Sequence, residues 1–338
     1  MRRSPTGTRT GRVSRLIPLV AVGALVFAAC GDDDESSDTS AAASDTTDAA
    51  SDTTDAASDT TDAASDTTDA ASDTTDAASE TTAASGGADC SATIADGTLT
   101  IATGEPAFFP WVIDNAPESG EGFEAAVAYA VAEEMGYSAD QVTWVRTTFD
   151  EAIQPGAKNF DFNLQQFSIL EEREENVDFS TPYYSSNQAI VALEGSPAIG
   201  ATTVEELQDV KFGAQAGTTS LQFITDVIQP NEEPFVYNDN VGAKAALEAN
   251  QIDAAVFDLP TALFVSAVEI EGSVVTGQFS PDAGGTTDDF GLVLDKDSPL
   301  TDCVSEAVTA LSDSGELDAL AEEWLSENAD IPFITTGS

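Results

Sequence analysis

Residues 211–220 read Lys-Phe-Gly-Ala-Gln-Ala-Gly-Thr-Thr-Ser, a short apolar run followed by a glycine and three hydroxyl side chains. The run predicts a strand over 211–214, and the hydroxyls after Gly217 are typical of a helix start, here of a helix reaching to about Val227. A strand that leads directly into a helix is the repeating unit of α/β proteins. This stretch therefore indicates the fold class of the whole folded segment.

The same alternation continues on both sides of this stretch. Upstream, strands are predicted at 98–102, 141–145, 160–164 and 187–193, and helices at 123–135, 149–154, 171–175 and 203–208. Downstream, helices are predicted at 241–249, 300–312 and 317–327, and strands at 254–257 and 290–294. The strands are apolar at most positions, as in sheets that helices cover on both faces. The sequence thus predicts an α/β protein with mainly parallel sheets.

The charge of the chain excludes several classes of function. Its 338 residues include 61 acids, 11 Lys and Arg, and no histidine, and residues 90–338 hold 44 of the acids against six bases, a formal charge of −38. Nucleic acid is a poor partner because phosphate binding needs a basic face. Without histidine, a Ser-His-Asp triad or a His-ligated metal is impossible. We expect no metal and no cofactor.

The N-terminus has the pattern of an export signal. Residues 1–15 hold five arginines, and residues 16–29 form an apolar run that ends in Phe-Ala-Ala before Cys30. A basic start, a short apolar stretch and small residues before a cut define a secretory signal, and the run is too short to span a bilayer. Small residues before a cysteine resemble the bacterial lipobox. We therefore expect a lipoprotein signal peptide over 1–29 and a lipidated Cys30 that anchors the mature chain outside the bacterial cell membrane. Ordinary cleavage with an incidental cysteine is the alternative.

Residues 30–89 are predicted to be a disordered tether. Five copies of Ser-Asp-Thr-Thr-Asp-Ala-Ala occupy 44–78. The period of seven does not indicate a coiled coil, because no position of the repeat holds a large apolar residue. These side chains cannot offset the entropy cost of ordering the backbone.

Motifs in a fixed order carry a resemblance between residues 99 and 327. They are Leu99–Phe109 with Gly122-Phe123-Glu124; Glu172-Arg173 with Val-Asp-Phe-Ser-Thr-Pro-Tyr-Tyr at 177–184; Gln-Ala-Gly-Thr-Thr-Ser at 215–220; and Asp-Ala-Ala-Val-Phe-Asp at 253–258. Together they resemble the family 3 extracellular solute-binding proteins, the amino-acid receptors of ABC importers. The resemblance implies the two-lobed, type II periplasmic-binding-protein fold, with two crossover strands near 187–193 and 289–294. Lobe one would be 90–188 plus 294–338, and lobe two 189–293.

The resemblance also implies a subsite for a ligand carboxylate. Arg173 lies where the family keeps an arginine, and a planar guanidinium can donate two parallel hydrogen bonds to a carboxylate. Ser168 matches a family hydroxyl. Thr218 and Thr219 open a helix whose backbone N–H groups favour an anion. The alternatives are a surface ion pair of Arg173 with a neighbouring glutamate and an ordinary helix cap at the two threonines.

For the ligand amine, the resemblance implies Asp258 as the acidic partner. Phe108, Trp111 and Phe149 match aromatic positions that would enclose the ligand and offer cation–π contact. The alternatives are a solvated aspartate and aromatic rings that only pack in the core.

Three residues depart from the family pattern or are not fixed by it. Gln165 and Gln166 stand where the family usually has a small pair, so their amides would crowd the pocket or recognise a polar side chain. Glu105, just after the first strand, would face a cationic side chain of the ligand or solvent. No particular amino acid is predicted as ligand.

Two further cysteines are predicted to pair. Cys90 precedes the first strand and Cys303 lies on the penultimate helix, so both fall in the predicted first lobe. An exported compartment permits disulfides. Two free thiols are the alternative.

The predicted function is a monomeric, membrane-tethered, non-enzymatic binding protein. It would capture an amino acid or a similar polar carboxylate between its lobes and deliver it to the permease and ATPase of an ABC importer. One alternative is an enzyme on the same scaffold, a dehydratase of cyclohexadienyl or prephenate-like substrates, for which Glu105 is the only candidate acid outside the family pattern. Another is the ligand-sensing subunit of a membrane receptor.

Overall fold

The computed structural model describes residues 89–279, 281, 287–325 and 330–336. The predicted signal peptide, Cys30 and the tether up to residue 88 lie outside the described residues. Across the ranges that are described, no helix combines the length and the apolar character needed to cross a membrane.

The order of elements is the alternation of strands and helices that the sequence predicts. The strands are β1 (Leu99–Gly104), β2 (Val142–Thr147), β3 (Phe162–Asn163), β4 (Val177–Phe179), β5 (Tyr184–Leu193), β6 (Phe212–Gln215), β7 (Phe235–Tyr237), β8 (Ala254–Asp258), β9 (Ser273–Phe279), β10 (Thr287–Phe290) and β11 (Val293–Asp295). The helices are α1 (Phe123–Glu134), α2 (Phe149–Ile153), α3 (Glu171–Glu174), α4 (Thr219–Phe223), α5 (Asn240–Glu248), α6 (Leu259–Phe264), α7 (Thr301–Ser314) and α8 (Glu316–Trp324). Wider π-type turns extend α4 through Ile228 and α6 through Glu269.

Two sheets define two lobes. The first lobe is built on a five-stranded sheet in the order β2-β1-β3-β11-β4, and the second on a six-stranded sheet in the order β10-β5-β8-β6-β7, with β9 also paired to β5. Strands β1, β2 and β3 are parallel, as are β6, β7 and β8, but β5 and β11 run antiparallel to their neighbours. The expected two-lobed α/β fold is therefore confirmed, whereas the expectation of mainly parallel sheets holds only for β1–β3 in the first sheet and β6–β8 in the second.

Each sheet is buried on both faces. In β1, Ile101 packs with α1 on one side while Ala102 packs with Phe167 on the other, and neither side chain reaches solvent. In β5, Ile190 and Val191 likewise point into separate cores. Successive side chains of a strand point to opposite faces, so an apolar residue at every position means that helices or loops cover both.

The chain passes between the lobes at two adjacent strands. The first half of β5 pairs with β10, with Ser186 opposite Asp288, and its second half lies between β8 and β9. After β10 the chain enters the first sheet, where Val293 lies opposite Phe179. The two crossings are thus hydrogen-bonded to each other at the junction of the lobes.

The C-terminal residues 330–336 depart from the predicted lobe boundaries. The predicted first lobe includes 294–338, but these residues lie on the second lobe. The backbone N–H of Ile334 donates to the carbonyl of Gln278 (2.9 Å), and that of Thr335 donates to the carbonyl of Thr202 (3.0 Å). The fully buried side chain of Ile334 joins the second-lobe core, which gives the physical reason for the placement.

A disulfide joins the start of the described chain to helix α7 of the first lobe. Cys90 and Cys303 are bonded, with their Cα atoms 5.5 Å apart and a sequence separation of 213. Cys303 lies on α7, and its buried side chain belongs to the same core as α1.

Candidate ligand-binding site

A cavity of about 210 Å³ lies between the lobes, beside the crossing strands. Every residue predicted to contact the ligand lines it: Glu105, Phe108, Trp111, Phe149, Gln165, Gln166, Ser168, Arg173, Thr218, Thr219 and Asp258. Both lobes contribute, because the residues up to Arg173 belong to the first and the last three to the second. Their assembly around one cavity is a geometric finding, and their individual binding roles stay predictions.

Arg173 is a buried cation at the junction of the lobes. Its Nη1 donates to the carbonyl of Ser168 (2.7 Å) in the first lobe, and its Nη2 donates to the carbonyl of Gly217 (2.9 Å) in the second. Burial lowers the pKa of Arg173 to about 10, which leaves the guanidinium charged at neutral pH. No glutamate of α3 forms an ion pair with it among the described residues, so the surface-pair alternative is not what the structure shows.

The glycine before α4 places the helix start against the first lobe. Gly217 has φ +71, a left-handed conformation that a side chain would disfavour, and an added Cβ would lie 3.1 Å from Asp150 Oδ1. Thr218 caps α4, accepting from the N–H of Leu221 at 3.2 Å. Its own hydroxyl donates to the carbonyl of Gln215 (2.8 Å). The cap is therefore real, and backbone N–H groups at this helix start remain for a ligand anion.

Asp258 ends β8 and caps α6. Its Oδ1 accepts from the N–H of Thr261 at 2.9 Å. Burial raises the pKa of Asp258 to about 6, and the nearby charge of Asp288 acts in the same direction. One carboxylate oxygen is thus used in the cap, and the negatively charged side chain lines the cavity.

Two aromatic rings form walls of the cavity and carry cations on one face. Arg173 Cζ lies 5.4 Å from the ring centroid of Phe149, which also stacks on Phe167 at 4.7 Å. Lys244 Nζ, from the second lobe, lies 4.8 Å from the ring centroid of Phe108. The same lysine pairs with Glu269 at 2.8 Å. Phe108 therefore already contacts the second lobe through a cation–π interaction.

Trp111 is a core residue at the edge of the cavity. Its side chain is fully buried and makes edge-to-face contacts with Phe123, Tyr184 and Phe290. Its indole N–H donates to Thr261 Oγ1 in the second lobe (2.9 Å). Core packing, the alternative to ligand enclosure, thus describes most of its surface.

The candidates for specificity differ in how firmly they are held. Gln165 donates to Thr147 Oγ1 (2.8 Å) and Asn163 Oδ1 (3.1 Å), so its amide is fixed by the first lobe. Glu105 lies at the cleft mouth, 4.0 Å from Arg146 Nε, with more than half of its side chain exposed. A pair this long and exposed contributes little to stability, so the Glu105 carboxylate can turn toward a ligand.

Glu124 lines the cavity, although the sequence analysis used it only as part of a motif and did not predict it as a site residue. It is buried at the start of α1 and accepts hydrogen bonds from the Gln166 N–H (2.8 Å), from Gln166 Nε2 (2.6 Å) and from the Tyr183 hydroxyl. Burial raises the pKa of Glu124 to about 7. An acid at the start of an Ala- and Val-rich helix was the available signal. The contacts explain Gln166: its amide serves Glu124 instead of crowding the pocket.

Gln188 and Asp288 were also not predicted. Gln188 lines the cavity from β5, and its Nε2 donates to the carboxylate of Asp288 on β10. An amide directly before the apolar run 189–193 of the predicted strand was a possible signal for Gln188. Asp288 gave none, because it lies in a run of polar residues that resembles a turn.

The charges around the cavity are unequal. Its acids are Glu105, Glu124, Asp239 and Asp258, and its one cationic lining residue in the described part of the chain is Arg173. In the same part, no three His, Cys, Asp or Glu side chains are grouped so that they could hold a metal ion. The arrangement is suited to a ligand that carries one carboxylate and more than one cationic group.

Comparisons with known proteins place the chain among binding proteins. Residues 99–327 match the bacterial extracellular solute-binding proteins, family 3. The arginine-binding extracellular protein ArtP of Bacillus subtilis is 27% identical over 210 residues, which cover 61% of this chain and 78% of ArtP. The L-cystine-binding protein TcyJ of Escherichia coli strain K12 is 28% identical over 206 residues, which cover 60% of this chain and 73% of TcyJ.

A solved structure shows the same fold over the same region. It is an ancestral arginine-binding protein bound to arginine, with a TM-score of 0.56 and 28% identity, covering 68% of this chain and 99% of that one. These relatives are binding proteins, so the enzyme alternative is not favoured, and the chain is a binding protein and not an enzyme. It belongs to the family 3 bacterial extracellular solute-binding proteins.

Proposed function

We propose that this protein captures an amino acid with a cationic side chain in the interlobe cavity and delivers it to an ABC importer. One observation carries the choice of ligand: the cavity combines the buried cation Arg173 with four carboxylates. A zwitterion alone would leave this excess of negative charge unbalanced, even with Glu124 partly protonated near neutral pH, and charges beside the buried Arg173 interact more strongly than charges in bulk water. A ligand with a second cationic group balances it.

The proposed roles follow from position. Arg173, Ser168 and the backbone N–H groups at Thr218 and Thr219 surround the α-carboxylate, and Asp258 accepts the α-ammonium. Phe108 and Phe149 enclose the aliphatic part of the ligand, with Trp111 behind them as support.

The side-chain cation of the ligand lies toward the cleft mouth. Glu105 is its partner there, since its carboxylate is held only by the long contact to Arg146. Gln165 provides an amide oxygen beside it, and Gln166 shapes the wall through its bonds to Glu124.

The names of the relatives support this ligand class without fixing it. ArtP and the ancestral structure are described as arginine-binding, but TcyJ, at similar identity, is described as cystine-binding. The cationic class therefore rests on the charges of this cavity.

The proposal includes a membrane anchor. The sequence supports it through the apolar run before Cys30 and through the tether of residues 30–89, which would let a monomeric receptor reach its permease. Lobe one would comprise 90–188 with 294–325, and lobe two 189–293 with 330–336. Delivery to a permease, as opposed to signalling through a membrane receptor, is supported by the family.

Calorimetry on the purified mature chain tests the ligand class. We expect 1:1 binding of arginine or lysine, weaker binding of citrulline and glutamine, and none of glutamate. Arg173→Ala should weaken binding at least about 30-fold, because removing one partner of a buried, hydrogen-bonded charge pair costs a few kcal/mol. The exposed Lys211→Ala loses the same charge and should bind as the wild type does. Failure to bind any amino acid, or tighter binding of glutamate than of arginine, would overturn the proposal.

A further inference from the structure

A carboxylate of the protein itself lies directly behind the predicted carboxylate subsite. Asp288 is 6% exposed and does not line the cavity, but three of its neighbours do. Its Oδ2 accepts from Gln188 Nε2 and from the hydroxyl of Thr219 (3.2 Å). The positive charge of Arg173 also acts on it. Asp288 thus shares its environment with any anion bound at Arg173.

These contacts determine which hydroxyl and amide protons remain to form hydrogen bonds with a ligand carboxylate. A threonine hydroxyl has one proton, and that of Thr219 is donated to Asp288. Gln188 Nε2 donates to Thr219 Oγ1 at 3.3 Å, and Ser220 Oγ donates to Gln188 Oε1 at 2.7 Å, so the orientation of Gln188 is fixed. The hydroxyl of Thr219, a cavity-lining residue, therefore has no proton to donate to a ligand. Of the donors predicted for a ligand carboxylate, this one is already used.

One contact links the surroundings of Asp288 to the first lobe. The strand of Asp288, β10, is one of the two crossings, and Gln188 follows the other crossing on β5. Thr219 belongs to the second lobe, and its Oγ1 lies 3.2 Å from Ser168 Oγ of the first. Asp288 therefore orders hydroxyls from both lobes where they meet.

We propose that Asp288 is a specificity-determining residue. Its carboxylate accepts the hydrogen bond of the Thr219 hydroxyl and offsets the charge of Arg173. The ligand carboxylate is consequently held less firmly than the arginine alone would hold it. The affinity of the site therefore depends less on the carboxylate of the ligand and more on its cationic groups. This inference rests on the proposed binding of a cationic amino acid.

Arginine and agmatine form a matched pair of probes for this role. Agmatine keeps the guanidinium chain and the amine of arginine but lacks the carboxylate. Replacing Asp288 by the isosteric, neutral asparagine removes a negative charge near the carboxylate subsite. Asp288→Asn should therefore tighten the binding of arginine and weaken that of agmatine. The ratio of the agmatine Kd to the arginine Kd should rise at least about fivefold.

The controls separate specificity from structure. Asp289→Asn removes the exposed neighbouring charge on the same strand and should leave the ratio unchanged. A merely structural role of Asp288 would weaken both ligands together, and thermal unfolding would record the loss. If Asp288→Asn does not fold, Asp288→Ser is smaller, also uncharged, and carries the same expectation.

Calorimetry of wild type and variants with both probes gives distinguishable outcomes. A raised ratio in Asp288→Asn supports the inference. If the wild type binds arginine but the ratio is unchanged or lowered in Asp288→Asn, the role of Asp288 is overturned while the proposed function is not. Absence of arginine binding to the wild type overturns the proposed function, and the role of Asp288 with it.

Discussion

Phe109 of the first lobe and Phe264 of the second stack face to face, with ring centroids 4.8 Å apart and ring planes within 2° of parallel. The contact links the two lobes, and neither ring lines the cavity. Together with the bond from Trp111 to Thr261, it joins the loop after β1 to α6.

Phe109→Ala should therefore weaken ligand binding through the closing step. Stacked aromatic pairs contribute roughly 0.5–1.5 kcal/mol beyond the area they bury, so a loss of affinity of about 3- to 10-fold is expected. Small-angle scattering should show a larger radius of gyration for the variant without ligand. Phe333→Ala, at an exposed phenylalanine of the C-terminal segment, is the control. Unchanged affinity and radius would show that the stack does not stabilise closure.

Acidification should weaken the binding of a cationic amino acid. The pKa of Asp258 is about 6, so its carboxylate is charged at pH 7.5 and becomes protonated below pH 6, where it no longer pairs with an ammonium. Affinity should fall by up to about tenfold per pH unit below that point. Asp258→Asn should bind weakly at pH 7.5 and show a flatter profile. Calorimetry from pH 5 to 8 measures both, and tighter binding at pH 5 would contradict the role of Asp258.

Glu124 should make the ligand-free protein less stable as the pH rises. The folded protein holds the Glu124 proton until about pH 7, whereas an ordinary glutamate releases it near 4.5. Between these values the folded state binds more protons than the unfolded state, so the free energy of unfolding decreases with pH, by roughly 3 kcal/mol for this shift. Urea unfolding at pH 5 and pH 7.5 measures the decrease.

Two variants on the same helix isolate this contribution. Glu124→Gln cannot titrate and should lose a large part of the pH dependence of stability, retaining the part below about pH 6 that Asp258 contributes, while the exposed Glu133→Gln should keep all of it. Equal pH dependence in both variants would assign the effect to other groups.

Loss of the disulfide should destabilise the first lobe while sparing the ligand site. Replacing both Cys90 and Cys303 by serine frees a loop of about 200 residues in the unfolded state, and a decrease in the free energy of unfolding of about 2–4 kcal/mol is expected. Neither cysteine lines the cavity, so arginine binding should persist. Two thiols that alkylate in the denatured wild type without a reductant would show that the bond is absent in solution.

Local rules explain what the sequence could predict. Thr203 and Glu206 form the expected capping box, and Gly217 takes the left-handed conformation that starts α4. The central strands β5 and β8 hold apolar runs of four or more residues at 189–193 and 254–257, and this is a local signal too. The ends of elements were less accurate, since the predicted helix 317–327 is observed as Glu316–Trp324.

Features that depend on distant partners were missed. Thr287–Phe290 is polar and becomes a strand only because it pairs with β5, about 100 residues earlier. Glu124 is buried because Gln166 and Tyr183 supply its hydrogen bonds, and no helical pattern within α1 indicates that. Ile334 is one apolar residue in a short C-terminal segment, and only the second-lobe core gives it a place.

Because residues 330–336 attach to the second lobe, the two ends of the folded domain lie on different lobes. Cys90, near the start, is fixed to α7 of the first lobe, while Thr335 is fixed to Thr202 of the second. A fluorescent donor fused before residue 89 and an acceptor fused after residue 338 would therefore travel with opposite lobes. Energy transfer between them would report opening and closing of the lobes directly. A ligand sensor could therefore be built from this chain without rearranging its termini.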